Sequence, residues 1–219
     1  MNRREALASV SVLLGGAIIG AEVFLSGCKN KAASTSLFNT DDIALLDDIA
    51  ETIIPTTPDS GGGKAAQVGT FMKQIVTDCY TPIEQDHFIK GIAAFKAACK
   101  EKYQKAFTGL SATEKETFLT ALHEEAKAYK ETEAYKKDKE LFSKQQDDWV
   151  KAEEAKHNFG ARYIKQSYPP HYFAMMRQLT LWGYFSSKEG MTKALRYVET
   201  PGRYDGAFPY KKGDKAWAL

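Results

Sequence analysis

The sequence predicts an all-α fold, with a single orthogonal or bundle-like helical domain between an N-terminal signal and an extended C-terminal tail. Apolar residues recur at helical spacing along most of the chain, and no stretch shows the two-residue alternation of a half-buried strand. Helix-start signals precede several of these periodic stretches. With 219 residues, the chain is long enough for one domain with a substantial core.

Two helices are expected in the first part of the domain. Thr40 is a suitable N-cap for the first one, because the two aspartates that follow it would lie in the first turn, where carboxylates favour the helix dipole. Pro55 ends this helix, since proline cannot continue the hydrogen-bond ladder. The segment PTTPDSGGG predicts a loop, and the second helix follows it with Val68 and Cys79 at the ends of its apolar side.

Two further helix starts carry capping boxes, in which a Ser or Thr and a Glu three residues later exchange hydrogen bonds. Thr81 and Glu84 form one, with Pro82 at the first helical position, and Ser111 and Glu114 form the other. The residues whose spacing indicates the predicted helices are Ile43, Leu46, Ile49, Ala50, Ile53, Val68, Phe71, Met72, Ile75, Val76, Cys79, Ile83, Phe88, Ile92, Phe95, Cys99, Phe118, Leu119, Leu122, Ala126, Phe173, Met176, Leu179, Thr180, Trp182 and Gly183.

Residues 127–157 carry many charges of both signs. Such a segment is typical of a solvated helix with pairs of opposite charge one turn apart, and we favour this interpretation over a basic binding surface. Tyr129, Leu141, Phe142 and Trp149 are expected to anchor the helix sparsely to the rest of the domain.

After the charged segment the chain contains one more long apolar helix and then loses its periodicity. Pro169 and Pro170 separate the charged segment from that helix, and a short helix, MTKALRYV, is expected after Gly190. The remaining residues include glycines, prolines and aromatic residues without a helical period. We therefore assign the helical domain to residues 40–199 and an extended tail to residues 200–219.

Residues 1–27 resemble an export signal rather than a part of the fold. Arg3 and Arg4 precede a weakly apolar stretch that contains three glycines and Glu22, so a removable signal fits better than a membrane-spanning helix. The twin arginines favour the Tat route, which carries folded proteins, over the general secretory route.

The four residues that end at Cys28, Leu-Ser-Gly-Cys, resemble a bacterial lipobox. Cleavage before Cys28 would leave a lipid on its thiol, and residues 28–39 would then form a polar tether. The alternative is a signal peptide that merely ends near a cysteine. The lipobox predicts a periplasmic protein that is lipid-anchored to a bacterial membrane, without indicating whether this is the inner or the outer one.

Composition excludes one class of partner and leaves the state of the cysteines open. The formal net charge of +2 at pH 7, which removal of the signal would not change, argues against nucleic-acid binding. If Cys28 is lipidated, Cys79 and Cys99 remain, and an oxidising compartment would permit a disulfide between them. The alternative is two free thiols on separate helical faces.

Residue types that often act in catalysis or bind ligands are present, but they do not form a recognisable catalytic or binding motif. The GGGKA segment lacks two residues that a phosphate-binding loop needs, since Pro58 and Ala65 occupy their positions. The four histidines are far apart and lack metal-ligand spacing. Adjacent carboxylates such as Asp47 and Asp48 are expected on the surface. We therefore assign no catalytic, cofactor-binding or metal-binding residue, and we expect that the chain is not an enzyme by itself.

The C-terminal tail carries the clearer functional signal. Arg203, Tyr204 and Asp205 lie between two glycines, and Phe208 and Trp217 follow. Aromatic and arginine side chains are the usual anchors of protein interfaces, and an apolar tail needs a surface that covers it. That surface is a partner protein in one interpretation and the chain's own domain in the other. We select these five residues as the candidate partner interface.

Three parts of the chain together resemble a known family: the twin-arginine start and the segments ETIIPTTPDSGGGKAAQVGTFMKQIVTDCY and LTLWGYFSSKEGMTKALRYVETPGRYDG. They resemble the gluconate 2-dehydrogenase subunit 3 family, the small subunits of membrane-bound, flavin-dependent sugar and sugar-acid dehydrogenases. The resemblance covers most of residues 40–123 and 172–210.

This resemblance implies a partner rather than an activity. In the family, FAD belongs to the catalytic large subunit, which often passes electrons to a cytochrome c subunit, and the small subunit serves assembly. A Tat signal on the small subunit would export the folded flavoprotein with it. The lipobox departs from the family pattern and implies that this member also anchors the complex to a membrane.

Two other functions stay open from the sequence alone. A stand-alone lipoprotein would bind carbohydrate or peptide on an aromatic platform made by Trp182, Tyr184 and Trp217. A lipid-anchored enzyme of an unrecognised type is the third hypothesis, and the missing catalytic constellation weakens it.

Overall fold

The structure is a computed structural model that describes residues 37–156, 164–200, 202–203 and 205–218. The helices are α1 (Thr40–Ile53), α2 (Val68–Asp78), α3 (Pro82–Tyr103), α4 (Ala112–Tyr129), α5 (Glu133–Glu154) and α6 (Tyr172–Phe185), with a 3₁₀ turn at Phe107–Gly109 and a π-helical turn at Gly190–Ala194. Within these residues there is no β-strand, so the predicted all-α class is confirmed. The predicted signal and most of the predicted tether lie outside the described residues.

Helix α6 is the centre of the fold, because it packs against each of α1, α2, α3 and α4. Its buried residues include Phe173, Met176, Leu179 and Tyr184. Since α6 is the last long helix, the core is complete only when the C-terminal part of the chain has docked. None of the described helices has the length and hydropathy that crossing a membrane requires.

An aromatic cluster fills the space between α3, the 3₁₀ turn and α4. The ring of Phe95 lies 5.1 Å from that of Phe107 and 5.2 Å from that of Phe118, and both pairs meet edge to face. All three side chains are buried. Burial stabilises the fold by about 1.5–3 kcal/mol for each side chain of this size, and edge-to-face contact is a favoured geometry for aromatic pairs. The cluster therefore holds a three-residue turn firmly in the core.

Both predicted capping boxes are present. The carboxylate of Glu84 accepts hydrogen bonds from the amide of Thr81 at 2.9 Å and from its hydroxyl at 2.8 Å. The carboxylate of Glu114 accepts from the amide of Ser111 at 2.8 Å, and the Ser111 hydroxyl accepts from the amide of Glu114 at 3.4 Å. These local signals are therefore sufficient to place the starts of α3 and α4.

The predicted N-cap of α1 is wrong by one residue. Asn39 is the cap, because its Oδ1 accepts from the amide of Asp42 at 2.8 Å while the Asp42 carboxylate accepts from the amide of Asn39 at 3.0 Å. Asparagine is a better N-cap than threonine, and the spacing of three residues permits the reciprocal bonds. Thr40 is consequently the first residue of the helix.

The charged segment is helical and mostly exposed, as expected, but it contains the end of α4 and all of α5. One of its four predicted anchors is wrong, because Leu141 is exposed. Tyr135 is the buried residue of α5, and its ring lies 5.0 Å from that of Tyr129 and 5.5 Å from that of Tyr168. Among the described residues α5 packs extensively on no other helix. Its contacts with the segment that follows it include the ring of Phe142 on that of Tyr168, at 5.9 Å.

One prediction for the last third of the chain is wrong. The short helix expected after Gly190 is only a five-residue π-helical turn, which ends at Leu195 with an extended backbone conformation. Trp182, one of the apolar residues of α6, is 53% exposed, and its ring meets that of Phe71 edge to face at 5.4 Å. Helix α6 is apolar around most of its circumference, so periodicity alone cannot select the side that faces solvent.

Candidate functional site

The loop Gly61–Gly63, called the glycine loop below, is tied to α6 and to the π-helical turn. The amide of Gly61 donates to Glu189 Oε1 at 2.6 Å, and the carbonyl of Gly61 accepts from the hydroxyl of Tyr184 at 2.8 Å. A Cβ atom on Gly63 would lie 2.4 Å from the carbonyl carbon of Ala50. Glycine is therefore required there, because α1 lies directly against the loop.

Glu51 of α1 completes the hydrogen bonding of this loop. Its carboxylate accepts from the amide of Thr56 at 2.9 Å, from the hydroxyl of Thr56 at 2.7 Å and from the amide of Lys64 at 3.0 Å. Burial acts to raise the pKa of Glu51, but these hydrogen bonds outweigh it and lower the pKa. The amides of Gly61 and Lys64 thus donate to carboxylates, while those of Gly62 and Gly63 donate to the Thr56 hydroxyl and the Ile54 carbonyl.

Asp47 and Asp48 are not surface carboxylates, which corrects the prediction. Asp48 is buried and forms ion pairs with Lys64 and, at 2.9 Å, with Lys115. Burial acts to raise the pKa of Asp48, but the hydrogen bonds from both lysines lower it overall. Asp47 is half-buried, so its pKa is raised, and it accepts from the amide of Gly69 at 2.7 Å in the first turn of α2. Both carboxylates join α1 to neighbouring elements.

Two histidines that are distant in sequence meet near the start of α6. His171 caps this helix, since its Nδ1 accepts from the amide of Phe173 at 3.2 Å, and its Nε2 lies 3.7 Å from Glu125 Oε1. Burial lowers the pKa of His171, and burial likewise lowers the pKa of His87 on α3. The Nε2 atom of His87 is buried and has no hydrogen-bond partner among the described residues. Both side chains therefore favour the neutral form.

Cys79 and Cys99, the two cysteines for which the sequence permitted a disulfide, are free thiols in the structure. Cys79 is exposed at the end of α2. Cys99 is buried on α3, where its Sγ lies 3.6 Å from the carbonyl oxygen of Lys105, and burial raises the pKa of its thiol. The pair occupies different environments on different helices.

Two clefts open on the surface of the domain. One of about 590 Å³ lies between the start of α1 and the end of α3, and one of about 580 Å³ lies beside the buried Asp48. Neither is lined by a histidine or a cysteine. Within the described part of the chain, no group of three His, Cys, Asp or Glu residues is arranged to hold a metal ion.

The tail folds back onto the residues that follow the π-helical turn. The amide of Arg196 donates to the carbonyl of Ala216 at 2.7 Å, and the amide of Ala218 donates to the carbonyl of Arg196 at 2.9 Å. The Arg196 guanidinium lies over the rings of Trp217 and Phe208, at 4.7 and 5.4 Å. Arg196 thus organises the tail, although the sequence pattern assigned it to a helix.

The five residues selected from the tail fall into separate groups. Phe208 and Trp217 lie together, with ring centroids 5.3 Å apart, whereas Arg203 pairs with Asp205 at 3.5 Å and is 82% exposed. Tyr204 lies outside the described residues. The tail therefore contacts its own domain through Arg196 and still presents aromatic rings to the surroundings.

The aromatic platform considered for carbohydrate binding is not assembled in the structure. Tyr184 is buried, and its hydroxyl donates to the glycine loop. Trp182 lies on α6 and packs on Phe71, whereas Trp217 packs in the tail on Phe208. The hypothesis that Trp182, Tyr184 and Trp217 share one binding face is therefore wrong, because Tyr184 belongs to the core.

A family model described as gluconate 2-dehydrogenase subunit 3 matches residues 40–202 of the chain. The chain belongs to the gluconate 2-dehydrogenase subunit 3 family. This match confirms the resemblance over the helical domain and ends before the aromatic part of the tail. No curated protein and no solved structure matches the chain. The description of the subunit 3 family identifies its members as components of a multi-subunit dehydrogenase.

Proposed function

We propose that this chain is the non-catalytic small subunit of a periplasmic, FAD-dependent sugar or alcohol dehydrogenase, and that it serves assembly, Tat export and membrane anchoring of the catalytic flavoprotein. The family match over residues 40–202 carries the proposal. The polar interior supports it, because Asp48, Glu51 and Glu189 bind groups of the chain itself. In this proposal FAD and the oxidation of substrate belong to the large subunit, and a cytochrome c subunit is a further candidate partner.

The tail is the proposed contact with the large subunit, through Arg203, Tyr204, Asp205, Phe208 and Trp217. Its support is the exposure of aromatic side chains, with Phe208 47%, Trp217 46% and Tyr210 74% exposed. Exposed aromatic groups that lie together are typical of a surface that a partner covers.

Export and anchoring are proposed for the N-terminal residues. Replacing Arg3 and Arg4 with lysines should leave the flavoprotein in the cytoplasm, whereas the nearby change Glu5→Gln should not. Normal arrival of the flavoprotein in the periplasm with the lysine pair would contradict co-export. Cys28→Ser should release the exported complex from membranes, because each buried methylene of a lipid contributes about 0.8 kcal/mol to anchoring.

The central test is affinity purification of the full chain from membranes of its own host, with identification of bound proteins and a visible absorption spectrum. A stoichiometric large partner with a flavin spectrum is the expected result. Recovery of a lone, colourless chain under gentle solubilisation would overturn the proposed function.

A further inference from the structure

The tail contains a groove of about 300 Å³, called the tail groove below. Its lining residues are Arg196, Asp205, Gly206, Phe208, Pro209, Tyr210, Asp214, Lys215, Ala216 and Trp217. A turn closes one end, where the Asp214 carboxylate accepts from the amide of Lys211 at 2.9 Å and the amide of Asp214 donates to the Lys211 carbonyl at 3.0 Å. Gly213 in this turn has φ of 99°, a conformation that favours glycine. The groove is thus a shaped part of the tail.

The charges around the tail groove do not cancel. Asp214 lies 3.7 Å from the guanidinium of Arg196, and Asp205 is paired with Arg203. By contrast, the lysines at positions 211, 212 and 215 form no ion pair with any described residue. Residues 186–218 contain seven basic and four acidic residues, in a chain whose formal net charge is only +2. Lys215 lines the groove, and Lys211 and Lys212 directly follow its lining residue Tyr210, so three lysines without a carboxylate partner among the described residues border the groove and are called the lysine rim below.

Exposed apolar side chains are concentrated in the same region. Among the described residues, seven of the eleven large apolar side chains that are exposed lie between Trp182 and Trp217. In addition, the parallel pairing with Arg196 uses the groups of residues 216 and 218, so the amide and carbonyl of Trp217 point to the opposite side. That side offers a partner backbone a donor and an acceptor.

We infer that the tail groove receives an acidic segment of the flavoprotein subunit. An apolar side chain of that segment fits against Phe208, Tyr210 and Trp217, while its carboxylates face the lysine rim. The inference rests on the proposed function, which supplies the partner, and adds the chemistry by which the partner is recognised. Charge complementarity of this kind steers association and fixes the orientation of two surfaces more than it adds affinity.

The test compares two changes in the tail with two matched changes on α5, all in the full chain. Lys211→Glu with Lys212→Glu reverses the rim, and Lys137→Glu with Lys139→Glu is its control. Tyr210→Ala removes an exposed groove side chain, and Leu141→Ala on α5 is its control. Affinity is measured for the flavoprotein that co-purifies with the wild-type chain, from about 0.01 M to about 1 M salt, over which the Debye length falls from about 30 Å to about 3 Å.

The chain with Lys211→Glu and Lys212→Glu should bind the flavoprotein about tenfold more weakly than wild type at low salt. This difference should disappear at high salt. Tyr210→Ala should weaken binding by about fivefold at every salt concentration, because it removes apolar contact. Both α5 controls should stay within about twofold of wild type.

Wild-type affinity in both tail variants would overturn the inference while leaving the proposed function intact. Tighter binding by the reversed rim would overturn it as well, because the partner segment would then be basic. If the reversed rim binds the flavoprotein normally but no longer binds vesicles that contain phosphatidylglycerol, the groove faces lipid and the inference is wrong. Purification of the wild-type chain without any bound flavoprotein would overturn both proposals.

Discussion

The glycine loop and the C-terminal tail are both irregular segments, yet they use glycine in opposite ways. In the loop, a Cβ atom on Gly62 or Gly63 would collide with α1. In the tail, Gly202 and Gly213 have positive φ angles of 70° and 99°, and nothing lies within 4 Å of the position of a Cβ atom. Glycine permits close packing in the first segment and a turn of the backbone in the second.

This difference separates an irregular segment that holds the domain together from one whose side chains stay exposed. All three amides of the glycine loop are hydrogen-bonded within the domain, that of Gly61 to Glu189, that of Gly62 to the Thr56 hydroxyl and that of Gly63 to the Ile54 carbonyl. The tail pairs with the domain mainly at Arg196 and leaves aromatic rings and lysines exposed. Hydrogen-bonded amides make the loop part of the interior, whereas exposed aromatic rings and lysines support the proposal that the tail is a surface for recognition.

The largest decrease in stability is expected from Gly63→Ala, in the glycine loop. The new Cβ atom would lie 2.4 Å from the carbonyl carbon and 2.6 Å from the carbonyl oxygen of Ala50, and these backbone atoms can move only if α1 shifts. The free energy of unfolding should fall by about 3 kcal/mol, as measured by urea denaturation of the purified chain. Gly109→Ala is the control, since nothing lies within 4 Å of its Cβ position. Equal stability of the two variants would contradict the close approach.

A smaller decrease in stability is expected from Glu51→Gln, which keeps the shape of the side chain but removes its charge. One amide nitrogen would then face the donors of Thr56 or Lys64, so the free energy of unfolding should fall by about 2 kcal/mol. The exposed Glu101→Gln is the control and should change it by less than about 0.5 kcal/mol. A similarly small change in both variants would show that the glycine loop does not depend on this carboxylate.

The pH dependence of stability should report on the buried histidines of the core and not on the tail. Burial lowers the pKa of His87 and of His171, so the folded chain favours their neutral forms. Their contribution is complete above the unfolded value of about 6.5 and is lost as pH falls through the folded-state pKa. Replacing both with glutamine should flatten the dependence of unfolding free energy on pH below about 6.5. Leu141→Ala, the control, should keep the wild-type slope, and an unchanged slope in the double variant would refute this assignment.

The smallest effect on stability is expected from Arg203→Ala, in the tail. Its side chain is 82% exposed and pairs with Asp205, so the free energy of unfolding of the free chain should fall by less than about 0.5 kcal/mol. Retention of the flavoprotein during purification should nevertheless decrease. Unfolding of the domain by this change would mean that the tail packs on its own core and would remove the contrast with the glycine loop.

Local patterns predict most of the helices correctly. Phe118, Leu119, Leu122 and Ala126 are all buried on α4, because one capping box fixes the start of that helix and the apolar period fixes its inward face. Trp182 shows the limit of this approach. Its helix is apolar on several sides, and the choice between them depends on which neighbours pack there, including the ring of Phe71.

Long-range polar contacts could not be predicted from the sequence. Glu189 and Gly61 are separated by 128 residues, and no local pattern connects them. The tail illustrates the same limit, because its aromatic residues are conspicuous but Arg196, which organises them, looks like one more helical residue. The spacing of apolar residues predicts which residues share one face of a helix. The contacts of Glu189 and Arg196 arise instead from the packing of several elements.

Helix α5 leaves and rejoins the domain at nearly one place, since the rings of Tyr129 and His171, on either side of residues 130–170, are 5.3 Å apart. Residues 130–170 therefore connect two neighbouring points of the core, as a closed loop does. The entropy of closing such a loop changes slowly with its length. We therefore expect α5 to open on its own, and amide hydrogen exchange should be faster in α5 than in α6. Insertions and deletions here are consequently compatible with an unchanged core.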